Sequence, residues 1–229
     1  MQEGKYVNDR KEGTWKYYFE SGKLSEEENY IHGKQEGKDI LYNEDGSLYR
    51  EYEYKNGMVE GGVKYYGENG ELALILNYHN DVPVSYTYNG KDGKLVEPVK
   101  LKNGTGAIKS YYKSGNISCD LNVSSGEFNG PRKFYYANGK LMAEGTRLNG
   151  QDDGPLKAYY PDGKIKSEEI YYYSYRNGLC KYYYANGNLK SEVNYVAGDL
   201  HGTCRYYSQD GKLIETREYY YDKLLSSKK

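Results

Sequence analysis

The side chains that could do chemistry here are few and scattered. The three histidines, His32, His79 and His201, lie in or beside turns far apart in the chain. The carboxylates are abundant, but adjacent acids such as Glu26–Glu27, Glu168–Glu169 and Asp152–Asp153 fall on opposite faces of an extended strand or in turns. That arrangement does not build a general acid–base pair. The three cysteines, Cys119, Cys180 and Cys204, show no Cys/His spacing of a metal site, and no glycine-rich loop opens a helix to cradle phosphate. The reading at this level is no catalytic residue, no metal ligand and no cofactor.

Composition narrows the classes further. Lys and Arg number 32 against 33 Asp and Glu, a net charge of −1. Nucleic acid and anionic lipid both select a basic excess, so neither is expected as the main partner. No run approaches the ~18 apolar residues of a membrane helix. Leu, Ile, Val and Phe together make only 39 of 229 residues, whereas Tyr alone makes 32. Tyrosine must therefore supply much of the buried area, at roughly 150–250 Å² per aromatic ring.

The elements that carry these residues follow from a repeat. Aligned on Gly13, Gly37, Gly61, Gly106, Gly130, Gly154, Gly178 and Gly202, with a shorter unit starting at Val84, the chain reads as nine units of about 24 residues. A partial unit occupies 1–12 and a tail 226–229, and the array is taken as a single domain over 1–229 without an internal boundary. Each unit carries a Ser/Asn/Asp-Gly pair, from Ser21-Gly22 through Asn69-Gly70 to Asp210-Gly211. Between Tyr-rich runs such a pair marks a two-residue type I′ hairpin. A second, looser turn follows at Gly33, Gly57, Asp81, Gly104, Gly126, Gly150, Ser174, Gly198 and Asp222. The fold class is all-β: an elongated antiparallel meander of hairpins in a single twisted sheet. The unit with Val84, Asn89 and Pro98 departs most from the pattern and is the expected place for a bend or local weakness.

Register follows from the first turn. It opposes Phe19 to Leu24, Tyr17 to Glu26 and Lys16 to Glu27, and alternation places Trp15, Tyr17, Phe19, Leu24 and Tyr30 on a packed face. The other face carries cross-strand pairs, Lys16–Glu27, Lys109–Asp120, Lys133–Glu144, Lys157–Glu168 and Lys181–Glu192. It also carries a tyrosine column: Tyr18, Tyr42, Tyr66, Tyr111, Tyr135, Tyr159, Tyr183 and Tyr207. The column is either a ladder packed over lysine stems or an aromatic binding surface. Cys180 and Cys204 share the Trp15 column in adjacent units, about 9–10 Å apart by strand spacing. That is too far for a disulfide, so buried free thiols are expected.

These units resemble the MORN-type repeat, in the bacterial variant of YwqK-type antitoxin-like proteins. The resemblance rests on the Tyr-Tyr, x-x, Asn/Asp-Gly, x-Leu core and the following Tyr, x-x-Gly, x-x-x-Gly, from about Tyr6 to Leu225. It implies stacked hairpins and a non-enzymatic role in recognising another protein, with a toxin as the partner of an antitoxin or immunity protein. An exported surface module that binds cell-wall or host glycans through a tyrosine-rich face is the alternative. The chain starts inside a repeat, which leaves bacterial cytoplasm and envelope or secreted fraction both open, and the oligomeric state is not specified. Four consecutive units carry tyrosine where others do not, at Tyr112, Tyr136, Tyr160 and Tyr184. This strip is the candidate binding site, with packing on Ile117, Leu141, Ile165 and Leu189 as the other reading. Extra tyrosines at Tyr172, Tyr173, Tyr220 and Tyr221 make the C-terminal half the stickier one.

Overall fold

The computed structural model describes residues 1–67 and 70–229; Asn69, half of the third first-turn pair, lies outside the described residues. Every described element is a strand, and the pairing is antiparallel between sequence neighbours. Each full unit supplies a strand of six to nine residues, such as Arg10–Tyr18 or Gly178–Tyr183, and one of eight, such as Leu24–Ile31 or Leu189–Val196. A two-residue strand, such as Lys34–Gln35, follows the second turn in most units. The all-β hairpin meander is thus the observed architecture.

The two turns exchange the roles expected of them. In the first turn the Phe19 amide donates to the Lys23 carbonyl at 2.8 Å and the Gly22 amide to the Phe19 carbonyl at 2.9 Å. Equivalent bonds close all nine units, down to Ser208–Lys212. Only the glycine takes positive φ, +82° at Gly22, so the connection is a three-residue loop rather than a type I′ turn. The type I′ geometry sits at the second turn. There both central residues have positive φ: Asn8 and Asp9, His32 and Gly33, Asn149 and Gly150, Tyr173 and Ser174, Tyr221 and Asp222 among others.

The longer loop shifts the register beyond it by one residue. Tyr18, not Phe19, opposes Leu24, with a bulge before Tyr17 meets Glu26 and Lys16 meets Glu27. The same bulge recurs as Tyr183 opposes Leu189 and Tyr207 opposes Leu213. Leu24 and its equivalents consequently pair with the Tyr18 column and are not the core. They are half-buried, and Leu95 and Leu213 are more than half exposed. The deeply buried column is that of Trp15, Val63, Ile108, Cys180 and Cys204.

Contacts gather the chain into two compact units, Met1–Gly126 and Glu127–Lys229. Within the first, strand pairing runs from Gln2 to Lys100 and starts afresh at Gly106, so the single sheet expected from the repeat is interrupted. The break falls at the degenerate unit. Pro98 lacks an amide to donate, and between Thr87 and Gly106 only two isolated bridges, Asn89 to Leu95 and Lys102 to Thr105, and the two-residue strand Val99–Lys100 remain. The hairpin Gly106–Ser124 packs against the strand Leu72–His79, with the Ser118 hydroxyl donating to the Ala73 carbonyl at 2.9 Å. In the second unit Val193, Cys204 and Tyr219 form a core flanked by Tyr182, Tyr195, Leu200 and Tyr206.

Candidate functional site

Two sets of tyrosines join one repeat to the next. On the Lys–Glu face all five expected pairs form, at 3.1 Å for Lys157–Glu168 and 3.6–3.8 Å for the others. In several units the tyrosine column adds a bond to the carboxylate of the unit before. Tyr66 donates to Glu51 at 2.6 Å, Tyr159 to Glu144 at 2.8 Å, Tyr183 to Glu168 at 2.9 Å and Tyr207 to Glu192 at 3.2 Å. Burial and the acceptor carboxylate together raise the Tyr159 and Tyr183 hydroxyls to about 12. Glu144, Glu168 and Glu192 thus each hold a lysine of their own hairpin and a phenol of the next, whereas Glu51 takes both Lys64 and Tyr66 from the next.

The strip Tyr112, Tyr136, Tyr160 and Tyr184 is similarly engaged. The hydroxyls of Tyr136, Tyr160 and Tyr184 donate to the carbonyls of Tyr159, Tyr183 and Tyr207 at 2.6, 2.7 and 2.9 Å. Tyr112 is buried, with its hydroxyl 2.8 Å from where a Cβ on Gly67 would stand. The rings therefore lie across the joints between successive units, with Tyr160 and Tyr184 half-buried.

Tyr6 and Tyr49 are exposed in residues 1–126, but the other exposed aromatic side chains gather along the type I′ turns of residues 127–229. Tyr172 and Tyr173 meet edge to face at 4.6 Å. Two turns further on, His201, Tyr220 and Tyr221 contact one another at 4.8–5.3 Å. Tyr175 lies over the backbone of the turn between them, its ring 3.2 Å from a Cβ built on Gly198. Tyr172 and Tyr175 are each 61% exposed. Tyr173 and Tyr221 stand at φ +47° and +45°, the first position of their turns, where most other units carry Asn. A bulky side chain is rarely held in the left-handed region, and strain of about 1–3 kcal/mol at such a position is characteristic of functional sites. Tyr172, Tyr173, Tyr220 and Tyr221 were legible as surplus tyrosines; Tyr175 and His201 were not, because only the stacking of successive turns brings them into line.

The second unusual site is polar and buried. Glu26, Glu28 and Asp39 bring their carboxylates within 4.8 Å of one another on the inner face of the first unit. Burial, followed by the charges of Glu26 and Glu28, pushes the Asp39 carboxyl up to about 7. In the second unit the corresponding glutamate is neutralised. Glu169 accepts from Arg176 at 2.6 Å and from Ser167 and Tyr171 at 3.0 Å. Burial works to raise its carboxyl, but these bonds outweigh it and hold it below the ordinary range. The cysteines are buried free thiols, and burial raises Cys119 to about 11.

An antiparallel array of similar hairpins, several latched to the next by tyrosine, is a β-hairpin repeat protein. Five of its segments, residues 11–32, 128–149, 152–172, 176–197 and 200–221, match the family model described as MORN repeat variant. Repeats of this kind are in general binding and scaffolding modules for proteins and membranes. No curated protein matches the chain in sequence. Among solved structures it is similar to parts of the TcdB2-TccC3-Cdc42 complex, at 11% identity and a TM-score of 0.18, over 96% of this chain and 18% of that one. It is also similar to part of TcdB2-TccC3, at 14% and 0.21 over 96% and 17%. The third is an alternansucrase bound to isomaltononaose, at 17% and 0.15 over 93% and 16%. The chain spans less than a fifth of each of these.

Proposed function

We propose that this protein is a non-catalytic recognition module that binds another protein along the type I′ turn edge of residues 127–229. The observation that carries the reading is the pair of exposed aromatic residues, Tyr173 and Tyr221, held in the left-handed region. Asparagine would relieve both turns, so a tyrosine there trades stability for a presented ring. Tyr172, Tyr175, Tyr220 and His201 extend the strip. Tyrosine and histidine offer large contact area with few rotamers to immobilise, which suits the centre of a protein interface. The balanced charge of the chain agrees with a protein partner, and a toxin is the class that the antitoxin-like resemblance suggests. In this assignment Tyr112, Tyr136, Tyr160 and Tyr184 keep the repeats rigid behind the edge.

The test is affinity capture from the source cell's lysate and secreted fraction, with the wild-type chain and a Tyr173→Asn/Tyr221→Asn variant as baits. One stoichiometric protein held by the first and lost by the second is the expected result. Equal capture by both overturns the assignment of the edge. Recovery of wall or host glycoconjugates alone overturns the protein-partner reading in favour of a glycan-binding module.

A further inference from the structure

The acidic cluster of the first unit is a departure from the repeat: three of its positions move toward negative charge, while Lys11 and Arg50 beside it stand where the second unit has Asp152 and Ser191. Counted from the leading glycine of each unit, Glu28 and Glu169 occupy the same position. Around Glu169 stand Ser167, Arg176 and, on the following strand, Cys180. Around Glu28 the equivalent residues are Glu26, Gln35 and Asp39. A neutral side chain has become a carboxylate twice, and a guanidinium has become an amide. The pairing of Glu26 with Leu41 and Glu27 with Ile40, continued by one step, sets Glu28 directly opposite Asp39. Like charges in opposed positions of a sheet repel, and burial strengthens the repulsion.

Among the described residues this charge is answered only in part, by Lys11 at Glu28. Asp39 is 4% exposed, and its Oδ1 is buried with no hydrogen-bond partner. Arg50, on the same face, gives its hydrogen bonds to the hydroxyls of Tyr52 and Tyr49 at 2.6 and 3.2 Å. Lys11 reaches Glu28 at 3.5 Å and is otherwise bonded to the hydroxyls of Tyr17 and Tyr30. Glu28 further accepts from Tyr30 at 2.9 Å and from Gln35 at 3.0 Å, which fixes its orientation.

We infer that Glu26, Glu28 and Asp39 form a binding site for a divalent cation of the hard, oxygen-preferring class. Three carboxylate oxygens within 4.8 Å of one another can all lie at the ~2.3–2.6 Å that Ca²⁺ requires. The donor set has no sulfur or imidazole, which selects Ca²⁺, Mg²⁺ or Mn²⁺ over zinc or copper. The partners of Glu28 from Tyr30 and Gln35 are the outer shell that holds a ligating carboxylate in place. Asp39, whose Oδ1 is buried without a hydrogen-bond partner, supplies the third carboxylate.

Terbium is the probe, because its emission is sensitised by nearby aromatic rings and Trp15 is the cross-strand partner of Glu28. Chelator-treated full-length protein titrated with Tb³⁺ is expected to give saturable emission that excess Ca²⁺ displaces. Asp39→Asn, which keeps the shape and removes the charge, weakens that binding by at least about tenfold, whereas Glu169→Gln leaves it unchanged. In parallel, Ca²⁺ raises the melting temperature of the wild type and not of Asp39→Asn, an arm read on the wild type even if the variant is poorly folded. Absence of saturable emission together with an unmoved melting temperature overturns the inference, as does emission that survives Asp39→Asn.

Discussion

Glu169 shows what one buried carboxylate does when it is fully paired. It accepts from Arg176, Ser167 and Tyr171 while being 8% exposed. Glu169→Gln removes the charge that Arg176 answers, and a cost of about 1–3 kcal/mol in the urea midpoint is expected. The pH dependence has a definite sign. The folded pKa lies below the ordinary 4.5, so the stabilisation is complete above that value and is lost as pH falls through and below it. Glu169→Gln should therefore flatten the acid limb of the stability profile. At the same scale, Cys119, Cys180 and Cys204 are 3%, 0% and 0% exposed. A thiol reagent at neutral pH should modify the native protein at less than about a hundredth of the rate seen in urea, since burial suppresses the thiolate and blocks access. Rapid labelling of even one cysteine would contradict the burial of that column.

Among the elements, the two turns of each repeat are the informative comparison. The first is rigidly patterned in sequence, yet only its glycine needs positive φ; the second is loosely patterned, yet both of its central residues need it. Tyr173→Asn should consequently stabilise the fold by up to about 1 kcal/mol, read from the urea midpoint, while weakening the proposed partner. Stability unchanged or lowered would mean that the tyrosine is not strained there. This turn pair also marks how far the fold was legible. Strand content, the hairpin period and the Lys–Glu register followed from spacing, because cross-strand partners recur every 24 residues. The bulge did not, because Ser-Gly, Asn-Gly and Asp-Gly suit the αL end of a three-residue loop as well as a type I′ pair, and the choice is decided by how the strands twist beyond it. The acidic cluster was hidden for a related reason. Glu26 and Glu28 share a strand but Asp39 comes from the next hairpin, and only its presence in the otherwise largely apolar Trp15 column could have signalled it.

For the molecule as a whole, the interruption between Lys100 and Gly106 divides what the repeat would make uniform. Stability in an array is the sum of unit and neighbour terms, so a missing strand pair leaves a local minimum. Native-state hydrogen exchange should find the amides of residues 91–105, as a group, at least about tenfold faster than those of the hairpins Gly61–His79 and Gly178–Val196. Equal protection throughout would show that side-chain contacts, such as Ser118 to Ala73, restore the cooperativity that the backbone lacks.

The latches between repeats have a consequence for descent. A tyrosine of one unit bonds the glutamate 15 residues before it, and the strip tyrosines bond the carbonyl 23 residues ahead. None of these bonds reaches past the adjoining unit, so the latches do not measure the length of the array. Duplication or loss of one 24-residue segment by unequal recombination would leave every remaining latch intact. Lineages that inherit such a gene are thus free to vary the number of hairpins while each turn edge diverges, unit by unit, toward a new partner.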